Sequence, residues 1–349
     1  MPTVTKTIGS AGRDYSTIAS WAAALPANFV TDGNAQRGEC YNDSEFTGVG
    51  GTSLGSHTTD VTHDLTLTAA AGQSFQDNAN IRTNALRYNV SNGVGIKSTT
   101  GYSSALASIN VKYLTVSRLQ FLSAGNSGNT GCRFYNTDTS TDIGLVKDCI
   151  FEKSGTGTGY CLCVQGLMVV NVLVIYNSNI APAATVGALQ LEYGTAVGCT
   201  IVRPSNKTIG GYGIGRGYGT SIIESCAVFG FSTSNNTGFS ASSKNNATNL
   251  SSIVGSAAQT SITYSSATPF QNGTSAASAH DFRAIVSTSL AANGFNDSSN
   301  APNDISGTAR AASPTIGVWE LISTVTPFDF LFFPHLNCFY RSPISITDY

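Results

Sequence analysis

The charged residues in the middle of the chain are the first candidates for chemistry. Four carboxylates stand there among four basic side chains: Asp148, Glu152, Glu192 and Glu224 beside Lys147, Lys153, Arg203 and Arg216. Cleavage of an acidic polysaccharide by elimination would use such a set, because carboxylates hold Ca²⁺ while an Arg or Lys abstracts a proton. Hydrolysis of a sugar bond would need two carboxylates about 5 to 10 Å apart.

Glu192 and Arg216 are the most specific pair in this set. In the repeating pattern described below, Glu192 follows Leu191 and Arg216 comes two residues after Ile214, so both would lie diagonally on neighbouring strands. The interpretation we favour is an ion pair across the stack of strands. The alternative is a pair that contacts a sugar, and three aromatic residues flank it in the sequence: Tyr193, Tyr212 and Tyr218.

Other signatures of catalysis are weaker. His63-Asp64 and His280-Asp281 are adjacent pairs, and no Ser lies in a nucleophile-elbow motif. Cys161-x-Cys163 has the spacing of strand alternation, and no histidine lies near it to complete a metal site. The sequence therefore predicts no catalytic, cofactor-binding or metal-binding residue. It favours, without deciding, a protein that is not an enzyme.

Two apolar patterns recur through the middle of the chain and must position these side chains. The first is Cys132/Phe134, Cys161/Cys163, Leu189/Leu191, Tyr212/Ile214 and Phe239/Ala241, with steps of 29, 28, 23 and 27 residues. The second is Leu119/Phe121, Cys149/Phe151, Leu173/Ile175, Cys199/Ile201 and Cys226/Val228, with steps of 30, 24, 26 and 27. A preserved alternation with unequal steps indicates strands of fixed register joined by turns of variable length, which predicts a coil of stacked strands.

Extension of the second pattern gives weaker assignments. Backwards from Leu119 it reaches Val94/Ile96, then Leu65/Leu67, then the segment around Cys40; forwards it reaches Ile253. Residues 232–313 are rich in Ser, Ala and Asn, and they are compatible with further coils that have long polar turns.

The chain contains eight cysteines, which raises the question of disulfides. Six occupy apolar positions of the two patterns: Cys132, Cys149, Cys161, Cys163, Cys199 and Cys226. We interpret them as small buried side chains in the coil interior. A bridge between Cys199 and Cys226 would be compatible in distance, but side chains that point in parallel from stacked strands give poor disulfide geometry.

The two ends of the chain differ from the repeat. Ser16 is a candidate N-cap, and Ile18, Trp21, Ala22 and Leu25 have helical spacing, so we expect a short helix that covers the open end of the coil. The last residues carry many aromatic side chains, which would pack on the coil or on another chain. We predict an N-terminal cap at 1–40, a β-helix at 41–320 and a C-terminal cap or intersubunit tail at 321–349.

Composition excludes several classes of partner. Only 11% of the residues are charged and the net charge is -2, so no basic surface for nucleic acid is expected. No stretch reaches the roughly 18 apolar residues that cross a membrane. The first residues, Met1 to Lys6, lack the pattern of a secretory signal. We expect neither a nucleic acid nor a membrane as partner.

Two segments resemble a known family. Gly12 to Trp21, followed by Gly38 to Asp43, is similar to the opening of right-handed parallel β-helix proteins of the pectin-lyase-like superfamily. Asp304 to Arg310 and Pro314 to Glu320 resemble their closing turn. The resemblance covers residues 12–320. It implies an all-β, right-handed single-stranded parallel β-helix, and it leaves activity open because the superfamily holds both enzymes and inert virion proteins.

The resemblance guides our functional expectation. Polygalacturonase-like members carry clustered Asp residues, a Gly-His-Gly and an Arg-x-Lys segment; here only Asn136-Thr137-Asp138 is similar to one of their motifs. We therefore expect a non-enzymatic bacteriophage protein, a decoration, fibre or tail-associated β-helix that is assembled in the host cytoplasm and located in the virion. As the resemblance implies, it would be a homotrimer that contacts capsid or tail proteins and host surface polysaccharide. The alternative is a tailspike that degrades polysaccharide.

Overall fold

The chain folds as a parallel β-helix, which confirms the predicted all-β fold class. The computed structural model describes residues 1–48, 52–98, 105–124, 131–136, 143–182, 186–208, 210–274, 276, 278–285 and 289–321. Helices among them are short: α1 (Ile18–Ala23), α2 (Phe29–Asp32) and a 3₁₀ turn (Phe75–Asp77). The right-handed winding follows the general preference of parallel strand connections and stays a prediction.

The described residues contain twenty-five short strands. In chain order they are β1 (Thr3–Ile8), β2 (Ala35–Cys40), β3 (Phe46–Gly48), β4 (Thr52–Ser53), β5 (Leu65–Ala69), β6 (Gly95–Ser98), β7 (Leu106–Ile109), β8 (Leu114–Ser117), β9 (Gln120–Ser123), β10 (Cys132–Tyr135), β11 (Gly144–Lys147), β12 (Ile150–Lys153), β13 (Leu162–Gln165), β14 (Leu167–Val170), β15 (Leu173–Tyr176), β16 (Gly187–Glu192), β17 (Thr195–Val197), β18 (Thr200–Val202), β19 (Tyr212–Gly215), β20 (Ile222–Glu224), β21 (Ala227–Phe229), β22 (Thr233–Asn235), β23 (Ala247–Thr248), β24 (Phe270–Asn272) and β25 (Asp281–Ala284).

Three parallel sheets run along the coil. The first sheet has the order β1-β2-β5-β8-β11-β14-β17-β20, the second β3-β6-β9-β12-β15-β18-β21-β23, and the third β4-β7-β10-β13-β16-β19-β22. Each coil thus contributes one strand to each sheet in turn. The last two strands, β24 and β25, form a separate antiparallel pair.

A tight corner joins the first sheet to the second in every central coil. One residue per corner has a left-handed backbone with φ between 51° and 61°: Arg118, Asp148, Asn171, Gly198 and Ser225. Asn, Asp and Gly tolerate this conformation best. The residue after each corner points into the coil: Leu119, Cys149, Val172, Cys199 and Cys226.

The second apolar pattern lies in the second sheet, with one slip. Phe151 pairs with Val174, and Val174 pairs with Ile201. The inward residues here are therefore Val172, immediately before β15, and Val174 within it, so the predicted Leu173/Ile175 is wrong by one residue. Leu173 and Ile175 belong to a separate apolar cluster on the outer face of the second sheet.

Extension of this pattern is only partly confirmed. Ile96 pairs with Phe121 in the second sheet as predicted. Leu65, Leu67 and Cys40 instead lie in the first sheet, where β2 pairs with β5. Ile253 packs at the end of the coil interior, outside the described strands.

The first apolar pattern lies in the third sheet, again with errors of register. Cys132 pairs with Leu162, not with Cys161, and Leu189 pairs with Ile214, not with Tyr212. Phe239 does not continue this sheet; it forms a bridge to Ser221 beside the first sheet. The predicted pairing is therefore shifted by one residue at β13 and by two residues at β19.

The coil interior is filled with apolar side chains and thiols. All seven described cysteines are buried and free. Six of them belong to the interior cluster: Cys40, Cys132, Cys149, Cys161, Cys199 and Cys226. Cys163 is the exception to the prediction, because it pairs with Arg133 and Gln190 on the outer face of the third sheet. Burial raises the pKa of the Cys149 and Cys226 thiols above the ordinary range, as expected for inert core residues.

The chain between Ile262 and Leu321 does not continue the coil. We call its described residues the covering segment, because they pack on the outer face of the second sheet. Phe270, Phe282, Ile305, Val318 and Trp319 join Ile150, Leu173, Ile175, Val202 and Phe229 in one apolar cluster. The second sheet is therefore buried on both faces, which explains why β15 reads as a nearly continuous apolar run.

The N-terminal helix lies where a cap is needed. Thr17, rather than the predicted Ser16, is the N-cap of α1, and its hydroxyl accepts a hydrogen bond from the Ser20 amide. Ile18, Trp21 and Ala22 are buried against the first coils, as their spacing predicts. The predicted tail at 321–349 lies, except for Leu321, outside the described residues.

Candidate functional site

The structure separates the charged residues that the sequence places in one region. Asp148 lies at a corner, where its carboxylate accepts a hydrogen bond from Asn171. Glu152 lies beneath the covering segment. Glu224 lies at the end of the first sheet and pairs with Lys244 at 3.5 Å. The predicted carboxylates thus do not form a common calcium or hydrolytic site.

Two of the candidate cations are internal. Lys153 is fully buried and pairs in register with Tyr176, a residue of the coil interior. Arg203 is also fully buried, and its guanidinium donates to the carbonyl groups of Thr208 and Ile180 at 2.9 and 3.3 Å. Burial lowers the pKa of both side chains. Neither can reach a ligand on the outer surface in this arrangement.

The predicted ion pair between Glu192 and Arg216 does not form. The Glu192 carboxylate accepts hydrogen bonds from the Tyr135 hydroxyl at 3.0 Å and from the Gln190 amide at 3.3 Å. Arg216 donates to the carbonyl groups of Gly219 and Gly238. Glu192 is buried, and its partners among the described residues are Tyr135 and Gln190 rather than a cation.

Tyrosines predicted to flank this pair have other positions. Tyr193 is the left-handed residue of a corner, with φ 50°. Tyr212 begins β19 in register with Gly187. Tyr218 is 69% exposed. None of the three donates a described hydrogen bond to Glu192, so the aromatic contact comes from Tyr135 instead.

A cluster of polar side chains occupies the outer face of the third sheet. We call it the third-sheet face; it consists of Arg133, Tyr135, Tyr160, Cys163, Gln190 and Glu192. The Arg133 guanidinium lies over the Tyr135 ring, 4.1 Å from its centroid. Burial, with help from Cys163 and Glu192, raises the pKa of Tyr135 to about 12, so this phenol stays a hydrogen-bond donor at neutral pH.

This face combines an aromatic ring, a guanidinium, an amide and a carboxylate. Tyr160, Cys163, Gln190 and Glu192 are buried, so only the partly exposed Arg133 and Tyr135 could stack on or hydrogen-bond to a neutral polar ligand. The sequence analysis missed Tyr135, although the alternation of Cys132/Phe134 places Arg133 and Tyr135 on the outer face. It missed the contact of Tyr135 with Glu192 because these residues lie on β10 and β16, which are separated by β13.

The segment that resembles a closing turn forms a buried charge network. Asp304 is fully buried, and its carboxylate accepts hydrogen bonds from Arg82 and from the amides of Ser306, Thr308 and Glu320. Arg82 also lies over the Trp319 ring at 4.0 Å. This network fastens the covering segment to the loop before β6, which is a structural role.

The three described histidines do not form triads. His63 contacts Asp60 at 2.8 Å instead of the adjacent Asp64. His57 contacts the carbonyl oxygens of Pro26 and Leu54. His280 contacts Glu152 rather than Asp281.

The motif Asn136-Thr137-Asp138 is described only in part. Asn136 is among the described residues, whereas Thr137 and Asp138 lie outside them.

The described part of the chain contains no group of three or more His, Cys, Asp or Glu arranged to hold a metal ion. Within the same residues no helix has both the length and the apolarity to cross a membrane. Fold and surface thus define a parallel β-helix protein with a polar outer face.

Comparisons of the chain with models of known families, with curated proteins and with solved structures find no match.

Proposed function

We propose that this protein is a non-enzymatic structural component of a bacteriophage particle, of the pectin-lyase-like β-helix type. The observation that carries the proposal is the presence of two apolar cores, one inside the coil and one beneath the covering segment. The coil interior is filled by one continuous apolar cluster, and the covering segment buries a second cluster outside it. A rod built in this way resists proteases and bending, because every central strand pairs on both edges.

Location in a particle tests this proposal. Purified phage particles that encode the chain would be imaged with an antibody fragment against the exposed turn around Tyr218. Density arranged on the capsid lattice indicates decoration, and density at the tail indicates a fibre or tail-associated role. Particles that lack the protein altogether would overturn the proposal. A mass measurement that gives a monomer at micromolar concentration would remove the homotrimer from it.

A polysaccharide-degrading tailspike is the second candidate. The observation that favours it is the third-sheet face, where a nearly buried carboxylate accepts a hydrogen bond from a tyrosine. Glu192 is buried and has no carboxylate partner among its described contacts, which argues against two-carboxylate hydrolysis. The partly exposed pair Arg133 and Tyr135 is the part of this face that could bind host polysaccharide.

Activity against host capsule distinguishes the two candidates. The wild-type chain would be compared with Glu192→Gln, and with Glu224→Gln as a control at a distant carboxylate. Loss of viscosity or release of unsaturated sugars by wild type and control, but not by Glu192→Gln, would support the tailspike. No cleavage by any of the three supports the structural role. Equal cleavage by all three would exclude Glu192 as the site.

A further inference from the structure

A buried pair of titratable groups joins the covering segment to the coil. His280 immediately precedes β25, and its Nε2 lies 3.3 Å from Oε2 of Glu152 on β12. The two side chains are 0% and 2% exposed. Their surroundings are apolar, because Glu152 pairs with Ile175 in the second sheet and the imidazole lies 5.2 Å from the Phe282 ring.

Other charges near this pair are already balanced. Asp281, next to His280, is held by the Arg283 guanidinium through hydrogen bonds of 2.9 and 3.0 Å. Tyr88, which is near enough for Glu152 to raise its pKa, donates its hydroxyl to Glu45 at 2.7 Å. Lys97 lies 3.8 Å from Glu45. His280 is therefore the cationic group available to Glu152 among the described residues.

The contact between the two groups depends on charge more than on hydrogen bonding. Neither ring nitrogen of His280 has a hydrogen-bond partner in the described structure, although Nε2 lies 3.3 Å from the Glu152 carboxylate. Asn177 donates to Oε1 of Glu152 at 3.2 Å, which satisfies only part of that carboxylate. A buried carboxylate without a counter-charge is destabilising, so an imidazolium beside it has a large effect.

We propose that protonation of His280 fastens β25 and its neighbours to the second sheet, and that this part of the covering segment loosens as the pH rises. With a charged imidazole, the pair is a buried ion pair inside an apolar cluster. When the imidazole loses its proton, Glu152 remains buried without a counter-charge, and the free energy that holds β25 in place falls.

Loosening of β25 would uncover apolar surface. Phe282 and Ala284 of β25 cover the same cluster that contains Ile175, Val202 and Phe229 of the second sheet. The uncovered strip would bind apolar probes or an apolar partner surface. The His280–Glu152 pair thus couples pH to the exposure of the outer face of the second sheet, which is separate from the third-sheet face.

Hydrogen exchange of the intact protein tests this inference. Protection factors, corrected for the intrinsic pH dependence of exchange, would be measured at pH 5.5 and pH 8 for β25 and for β14 in the interior. We expect protection of Phe282, whose amide donates to the Leu86 carbonyl, to fall at least tenfold at pH 8, while β14 stays unchanged. Binding of an environment-sensitive apolar dye should rise over the same interval.

Variants locate the effect. His280→Gln should abolish the pH dependence at β25, whereas His57→Gln, near the N-terminal cap, should retain it. Equal protection of β25 at both pH values in the wild type would overturn the inference. So would an unchanged pH response in His280→Gln. The comparison of β25 protection at the two pH values in the wild type tests the inference even if a variant fails to fold.

Discussion

The rings of Phe121 and Phe151 stack in parallel in neighbouring coils, with centroids 4.6 Å apart and 3° between their planes. Both residues are completely buried in the coil interior, and they pair in register between β9 and β12. The same column continues with other apolar side chains, since Phe151 pairs with Val174 and Val174 with Ile201, and such in-register stacking fills the core of the coil.

Truncation of one ring should show how much this stack stabilises the fold. Phe151→Ala leaves a cavity between two neighbouring coils, and we expect a loss of about 3–5 kcal/mol in the free energy of unfolding. Phe151→Leu keeps most of the volume and should cost clearly less. Urea titration followed by circular dichroism measures both. Similar losses for the two variants would mean that the ring volume does not matter here.

Gly38 leaves space for the indole of Trp21. A Cβ at position 38 would lie 2.8 Å from Cη2 of Trp21 and 3.0 Å from Cδ1 of Ile8. Gly38→Ala should therefore force the cap away from β2 and cost about 1–3 kcal/mol. Trp21→Phe in the Gly38→Ala background should recover part of the loss. A double-mutant cycle with no coupling energy would contradict this account.

The buried carboxyl group of Asp148 should make the stability of the protein depend on pH. Burial raises the pKa of its carboxyl to about 6, against the hydrogen bond from Asn171 that favours the ionised form. The native state thus holds a proton that the unfolded state, with a carboxyl pKa of about 3.9, has released. Stability contributed by this group is therefore lost as the pH rises from about 4 to about 6.

Replacement of Asp148 by asparagine should remove this loss of stability at neutral pH. Asp148→Asn keeps the hydrogen bond from Asn171 and suits the left-handed corner, where φ is 53°. We expect it to stabilise the protein by about 1–3 kcal/mol at pH 7 and by little at pH 4. Thermal unfolding at the two pH values measures the difference. A gain of equal size at both would point to a cause other than ionisation.

The cysteine thiols of the coil should be unreactive in the native state. The seven described cysteines are buried and free, and burial raises the pKa of Cys40, Cys149 and Cys161 far above neutral pH. We expect a maleimide to label none of these seven before unfolding and all of them in guanidinium, as read by peptide mass spectrometry. Native labelling of Cys199 or Cys226 would show that the interior opens.

Much of the architecture could be predicted from local patterns. Alternation at Phe121, Phe151 and Ile201 predicts inward strands because side chains of a strand alternate with a period of two, whatever surrounds them. The helix at Ile18 and Trp21 follows from equally local spacing. The one-residue slip at Leu173 arose because β15 is apolar on both faces, so the sequence does not distinguish its inward from its outward residues.

The candidate site was less predictable. Glu192 and Arg216 have suitable spacing, but Arg216 satisfies nearby carbonyl groups and Glu192 contacts Tyr135 two strands away in the third sheet. Spacing along a chain gives the face of a strand, whereas the partner of a long side chain depends on the turns around it.

The sequence by itself determined the stacked parallel strands, the buried thiols and the N-terminal helix, because each depends on residues close together in the chain. Only the tertiary structure decided that the chain after Ile262 returns along the second sheet and brings His280 against Glu152. Residues so distant in sequence meet because two apolar surfaces, one on the sheet and one on the returning segment, bury each other, and the path of that return is set by packing rather than by any local pattern.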